Sequence, residues 1–200
     1  GTVVSFPELA LQAGARRATL EVAAGSVINR VERLTGRDTY RVLTPTTIAG
    51  VRGTDFGVLV TEDGRTHVGV ETGLVTVLPR WTETLEEFAS EISDPEVARA
   101  VRAVTEEYRG QQVVEAGLQG SLGEGEADEL PVIIESFITQ VREVLATPAE
   151  SRELDAEEIR EIGAEALREA VSPVRVEPHT PEIRGSLDRI SALRTVESLP

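Results

Sequence analysis

Hydrophobic and polar residues alternate along this chain with two different periods, and the change of period divides it. From Val3 to Leu78 the apolar positions come in short runs. Val3, Val4 and Phe6 precede Pro7, and Leu9 and Leu11 follow it. Then come Leu20 and Val22, Val27-Ile28, Tyr40 to Leu43, Phe56-Val58-Val60, Val68-Val70 and Val75-Val77. Alternation with period two marks strands that bury one face. Gly25, Thr44-Pro45, Asp63-Gly64, Gly73 and Pro79 punctuate the runs. Asp63-Gly64 is a hairpin sequence, because both residues tolerate positive φ. The pattern predicts an all-β unit over residues 1–79.

Beyond Thr82 the apolar spacing becomes three and four, which is helical. Leu85, Phe88, Ala89 and Ile92 share one face, and Val97, Val101, Val104 and Tyr108 another. Ile134, Phe137, Ile138, Val141 and Leu145 form a third, and Ile159, Ile162, Ala166 and Leu167 a fourth. Ser93-Asp94-Pro95-Glu96 reads as a helix start, and Asp155 with Glu158 as a capping-box pair. Residues 172–181 are Pro-rich and read as extended. Ile183, Leu187, Ile190 and Leu193 mark a last, weaker helix. Residues 117–129 carry four Gly and four acids and read as a flexible linker. The expected architecture is therefore segregated α+β, with a β unit over 1–79 and a helical extension over 80–200.

One segment echoes another. Leu20 to Val27 and Val68 to Val75 share the pattern apolar-x-apolar-x-x-Gly-x-apolar. Repetition of a strand–turn–strand element suggests stacked coils, whereas two unrelated hairpins suggest a sandwich. The β unit is thus expected to be solenoid-like or sandwich-like.

Composition changes this picture in three ways. Aromatic residues make up only 4% of the 200, so Val, Leu, Ile and Ala must fill the core. The chain has no Cys, which removes disulfides and thiolate metal sites, and no Lys, which removes Schiff-base and P-loop lysine chemistry. The net charge of −15 is uneven. Residues 1–80 hold 9 Arg against 8 acids, and residues 81–200 hold 11 Arg against 27. An acidic surface repels the phosphate backbone, so nucleic acid is not an expected partner. No apolar run reaches the length of a membrane span. With no Met and no leader pattern at the start, the sequence reads as a processed or excised piece of something longer.

The stretch from Leu43 to Phe56 carries more specific information. It reads Thr44-Pro45, then five residues, then Val51-Arg52-Gly53-Thr54, one residue, and Phe56. The Asp63-Gly64 turn follows, and then Val70, Gly73 and Val75. In order and spacing this resembles the FecR domain family over about residues 1–78. The resemblance implies a bacterial, extracytoplasmic protein-interaction or signalling module. Well-known members cross the inner membrane once and relay an outer-membrane signal to a sigma factor. It also implies further strands before Gly1, so the β unit is expected to be N-terminally truncated. Pro45 restricts Thr44 to extended backbone, and Gly53 allows a conformation or close approach that a Cβ forbids. On those grounds Thr44, Pro45, Val51, Arg52, Gly53, Thr54, Phe56 and Gly73 are expected to be structural.

A search for chemistry finds little. The two histidines, His67 and His179, are far apart in sequence and have no Cys beside them, so neither a metal site nor a cofactor is expected. There is no nucleophile elbow and no Asp-rich calcium loop. The many carboxylates alternate with Arg on helix faces. Trp81, at the junction, is the one candidate partner contact; its alternative role is to seal the β unit. The expected function is non-catalytic association with another protein or with a second copy. The alternative is a structural envelope scaffold, and a carboxylate-dependent hydrolase ranks below both.

Overall fold

The computed structural model describes residues 1–12, 14–123, 131–148, 154–169 and 174–188. It is an α+β fold. Two compact units share the chain: Gly1–Pro79, Gln112–Ala127 and Pro173–Pro200 form one, and Arg80–Gln111 and Asp128–Ser172 the other.

The first unit is a nearly closed β-sheet. Its strands are β1 (Val3–Gln12), β2 (Ala15–Arg30), β3 (Thr39–Leu43), β4 (Thr47–Val51), β5 (Asp55–Val60), β6 (Thr66–Thr72), β7 (Leu74–Pro79), β8 (Val113–Glu115), β9 (Leu118–Leu122) and β10 (Arg175–Pro178). They run in the order β10-β9-β6-β5-β2-β3-β4-β7-β8, and β1 pairs with β2 outside this path. β2 belongs to both halves. Its Arg17–Glu21 stretch pairs with β3, and its Gly25–Arg30 stretch pairs with β5. Gly25 lies at the bend, with φ of 81°. At the far ends of the path, β8 lies on β7 and β9 on β6. The tight turn at Gly117 joins β8 to β9, and Gly117 donates its N–H to the Val70 carbonyl (2.9 Å). That turn is what nearly closes the sheet.

The enclosed core is mostly valine: of the fourteen buried residues in its cluster, eleven are Val, with Leu20, Ala49 and Phe56. β-Branched side chains hold few rotamers and pack well on a pleated surface. They supply here the volume that aromatics supply elsewhere. The pairing excludes a solenoid, because every described pair is antiparallel except β2–β3. The described strands form one nearly closed, ten-stranded sheet rather than stacked coils.

The second unit holds α1 (Thr82–Glu91), α2 (Pro95–Gln111), α3 (Val132–Ala146) and α4 (Ala156–Glu169). Asp94 caps α2 by accepting from the Glu96 and Val97 N–H groups (3.0 and 3.3 Å). Asp155 caps α4 by accepting from Glu157 and Glu158 (2.8 and 2.9 Å), and the Glu158 carboxylate accepts the Asp155 N–H (2.8 Å). The reciprocal capping box read from the sequence is therefore formed. Gly163 sits where α4 meets its neighbours: a Cβ there would lie 2.7 Å from Phe137 and 2.8 Å from Val104.

Two expectations need correction. The helical extension is not wholly helical, because β8, β9, β10 and a helix over 181–188 (α5) return to the β unit. Strict segregation gives way to interleaving. Residues 118–122, read as flexible linker, are β9, and Gln119 to Gly123 are buried. Gly120 is the physical reason. A Cβ there would meet Val114 at 2.9 Å and Val174 at 3.3 Å, so the glycine lets β9 lie close over the core. The remainder of that expected linker, 124–129, lies outside the described residues.

Candidate functional site

Three places on the β unit stand out. The first is the family-like motif. Thr44 to Thr47 form the β3–β4 turn, closed by the Thr44 N–H on the Thr47 carbonyl (2.9 Å), with Pro45 at the second position. Four buried hydroxyls gather here. Thr46 donates to Thr66 (2.7 Å), Thr66 donates to Thr44 (2.9 Å), and Thr44 and Thr47 lie 2.9 Å apart. Val51 and Phe56 point into the core.

Between them the chain turns from one half-sheet to the other. Gly53 has φ of 117°, and a Cβ on it would lie 2.8 Å from the Arg33 Cα. Thr54 donates its hydroxyl to the Leu74 carbonyl (2.9 Å) and exchanges backbone bonds with Val31 (3.0 and 3.1 Å). Gly73, φ 86°, turns the chain back at the same end; a Cβ there would lie 2.9 Å from the Gly53 carbonyl oxygen. Pro45, Arg52 and Gly73 are the exposed members of this motif. The motif is a double corner, and the Thr44 and Thr54 hydroxyls are used in holding backbone.

The second place is a polar cluster on the outer face of β6 and β9. Gln119 is fully buried. Its amide nitrogen donates to the Glu177 carboxylate (3.0 Å) and lies 3.4 Å from His67 Nδ1; its oxygen accepts the Thr180 N–H (2.8 Å). His179 Nε2 lies 2.9 Å from the Leu118 carbonyl. The two histidines, remote in sequence, thus meet adjacent residues of β9, His67 at Gln119 and His179 at Leu118. Burial is the largest influence on His67 and pushes its pKa down, as does Arg65; Glu177, Asp63 and Glu182 pull the other way. Sequence reasoning missed this cluster, because Gln119 stood in a stretch read as linker.

Just beside it lies a floor without side chains. Gly57 and Gly69 are direct cross-strand partners on β5 and β6. Their neighbours Phe56, Val58, Val68 and Val70 fill the core, so the glycines face outward. Ile183 and Leu187 of α5, one helical turn apart, cover them and are buried. Segment 174–188 therefore docks through Val174, β10 on β9, the Gln119 cluster, and these two side chains.

The third place is β1. By register, Leu9, Ala18, Tyr40, Val51, Val75 and Val114 form one row across five neighbouring strand pairs. Val51, Val75 and Val114 are buried, yet Leu9 at the end of the row is 81% exposed. Leu11 and Phe6 are 74% and 69% exposed. An apolar row that runs out of the core into solvent differs from the scattered exposed residues found on any surface. The Ser5–Glu8 stretch is bulged and contains Pro7, whereas Leu9 to Gln12 pair regularly with β2.

Trp81 belongs to the helical unit. It is 4% exposed, and its ring lies 5.4 Å from that of Tyr108, tilted by 41°. Among the described residues no group of three or more His, Asp or Glu is placed to hold a metal. No described helix is long and apolar enough to cross a membrane.

Residues 5–76 match the FecR protein family. The match spans β1 to β7 and is just over a third of the 200 residues; β8, β9, β10 and the helices lie outside it. Curated proteins give no match. Two crystal structures of a candidate anti-sigma factor from Parabacteroides distasonis are similar to 65% of this chain, at 20% and 19% identity and a TM-score of 0.39 each. The alignment spans 46% of each of those chains, so this chain covers less than half of their length.

Proposed function

We propose that this chain is a non-catalytic, extracytoplasmic interaction or signalling module of FecR type. The FecR match supports a regulatory role for the β unit. The observation that carries the reading is the core row that ends on exposed Leu9. A partner protein laid along the Leu9–Gln12 half of β1 continues the sheet and covers Leu9 and Leu11. Main-chain bonds then supply affinity, and the alternate side chains supply selectivity. Pro7 and the bulge blunt the other half of the same edge.

Site-specific photo-crosslinking tests the reading. A crosslinking side chain at Leu9 in the full chain, expressed in a bacterial host, is expected to capture a discrete protein adduct. The same group at exposed Glu62 is expected to capture none, and Leu11→Arg is expected to abolish the Leu9 adduct. Equal adducts from Leu9 and Glu62 would refute the assignment of β1. Hydrolysis of an envelope glycan by the purified chain, lost in an acid-to-amide variant, would replace the binding reading with an enzymatic one.

A further inference from the structure

The glycine-floored face of β5, β6 and β9 is a second surface, distinct from β1. We propose that segment 174–188 is an exchangeable latch, and that the groove it fills accepts the same segment of a second copy of this chain. This goes beyond the interaction reading above and does not depend on it.

The groove is shaped for a helix with aliphatic side chains at i and i+4. A Cβ at Gly69 would lie 2.5 Å from Ile183 Cγ1 and 3.2 Å from Leu187 Cδ1; one at Gly57 would lie 3.3 Å from Leu187 Cδ2. The paired glycines leave room that only bulky side chains from above can fill. Recognition is also polar and directional. Gln119 holds Glu177 and the Thr180 N–H at the junction between β10 and α5, and His179 meets the Leu118 carbonyl. A short strand followed by such a helix is the ligand this face selects.

One feature makes the occupant exchangeable: β10 is four residues long, wholly exposed, and pairs only with β9 among the described strands, so a segment held by so short a strand can open locally without global unfolding. An identical segment from another copy makes identical contacts, and concentration then decides between the intramolecular and intermolecular arrangements.

Two complementary variants of the full chain test this. Ile183→Glu with Leu187→Glu disables the latch and vacates the groove. Gly69→Leu fills the groove and frees the latch. Each alone is expected to be monomeric by light scattering, and an equimolar mixture is expected to give a one-to-one dimer. A synthetic peptide of residues 174–188 is expected to bind the latch-disabled variant at least tenfold more tightly than the wild type and to dissociate the mixed dimer. If Gly69→Leu does not fold, the peptide arm decides alone; Leu187→Ala serves as a milder latch variant. Failure of the folded latch-disabled chain to bind either the peptide or the groove-filled chain would overturn the proposal. Photo-crosslinking at Leu9 is unaffected by either result, so the two readings fail separately.

Discussion

Replacing Gly53 with alanine probes the double corner at its tightest point. At φ of 117° the backbone is in a region that essentially only glycine occupies, which costs an L-residue on the order of 1–3 kcal/mol. The new Cβ would also stand 2.8 Å from the Arg33 Cα and 3.2 Å from its nitrogen. Arg33 cannot simply retreat, because Val31, two residues away, exchanges two backbone hydrogen bonds with Thr54. Weakening one of those adds about 1 kcal/mol. The sum is about 2–4 kcal/mol. Two other glycines separate the causes. Gly36 has φ of 60° but nothing within 4 Å, so Gly36→Ala carries strain alone, about 1 kcal/mol. Gly50, in β4, has neither positive φ nor a near neighbour, so Gly50→Ala is neutral or stabilising by about 0.5 kcal/mol. Urea denaturation followed by amide hydrogen exchange in β5 and β6 reads the β unit by itself. The expected order of stability is Gly50→Ala, then Gly36→Ala, then Gly53→Ala. If Gly53→Ala costs no more than Gly36→Ala, the close approach to Arg33 is not what the glycine serves.

Thr66→Val removes the centre of the buried hydroxyl group and leaves Thr44 and Thr46 each short of a partner; equilibrium unfolding should show a loss of about 1–3 kcal/mol, and an unchanged midpoint would contradict the network. His67 should make the β unit less stable in mild acid. Its folded pKa is depressed below the unfolded value near 6.5, so the unfolded chain binds more protons, and stability falls as pH drops through about 6.5. Thermal melts at a series of pH values should lose that part of their slope in His67→Gln; an identical slope in the variant would place the titration elsewhere.

How much of this was legible in the sequence depends on whether local chemistry or a distant partner decides each element. Asp94, Asp155 and Glu158 announce their helices because a cap is satisfied within three residues. The Asp63-Gly64 hairpin is equally local: Gly64 takes φ of 77°, and Thr61 bonds the Arg65 carbonyl across it. β9 is the opposite case. Leu118-Gln119-Gly120-Ser121-Leu122 has weak strand propensity, and its identity comes from β6 on one side and β10 on the other. Its glycine, read as flexibility, is a packing requirement over Val114. The Gln119 cluster was hidden for the same reason: its members come from β6, β9 and a segment nearly sixty residues later. No spacing rule joins His67, Gln119 and Glu177.

The echo between Leu20–Val27 and Val68–Val75 shows what a repeated pattern can mean when it does not build a solenoid. Its glycines, Gly25 and Gly73, both have positive φ, at 81° and 86°, and both lie where the chain leaves one half-sheet for the other. The apolar pair before each glycine lines the core in one half-sheet, and the chain after it pairs in the other. The pattern therefore encodes a corner, used once in each direction. Corners of this kind let one strand serve two half-sheets, but they leave edges. The FecR match ends just after the second corner, with β6 and β7 each lacking a neighbour inside it. This chain supplies β9 to one and β8 to the other, and the path then ends in strands of four and three residues, too short to template another chain readily. β1 is different in kind, with ten residues, an apolar row and exposed Leu9 and Leu11. This is the edge to which the proposed partner strand adds, and its length and exposed apolar side chains set it apart from the short strands at the ends of the path.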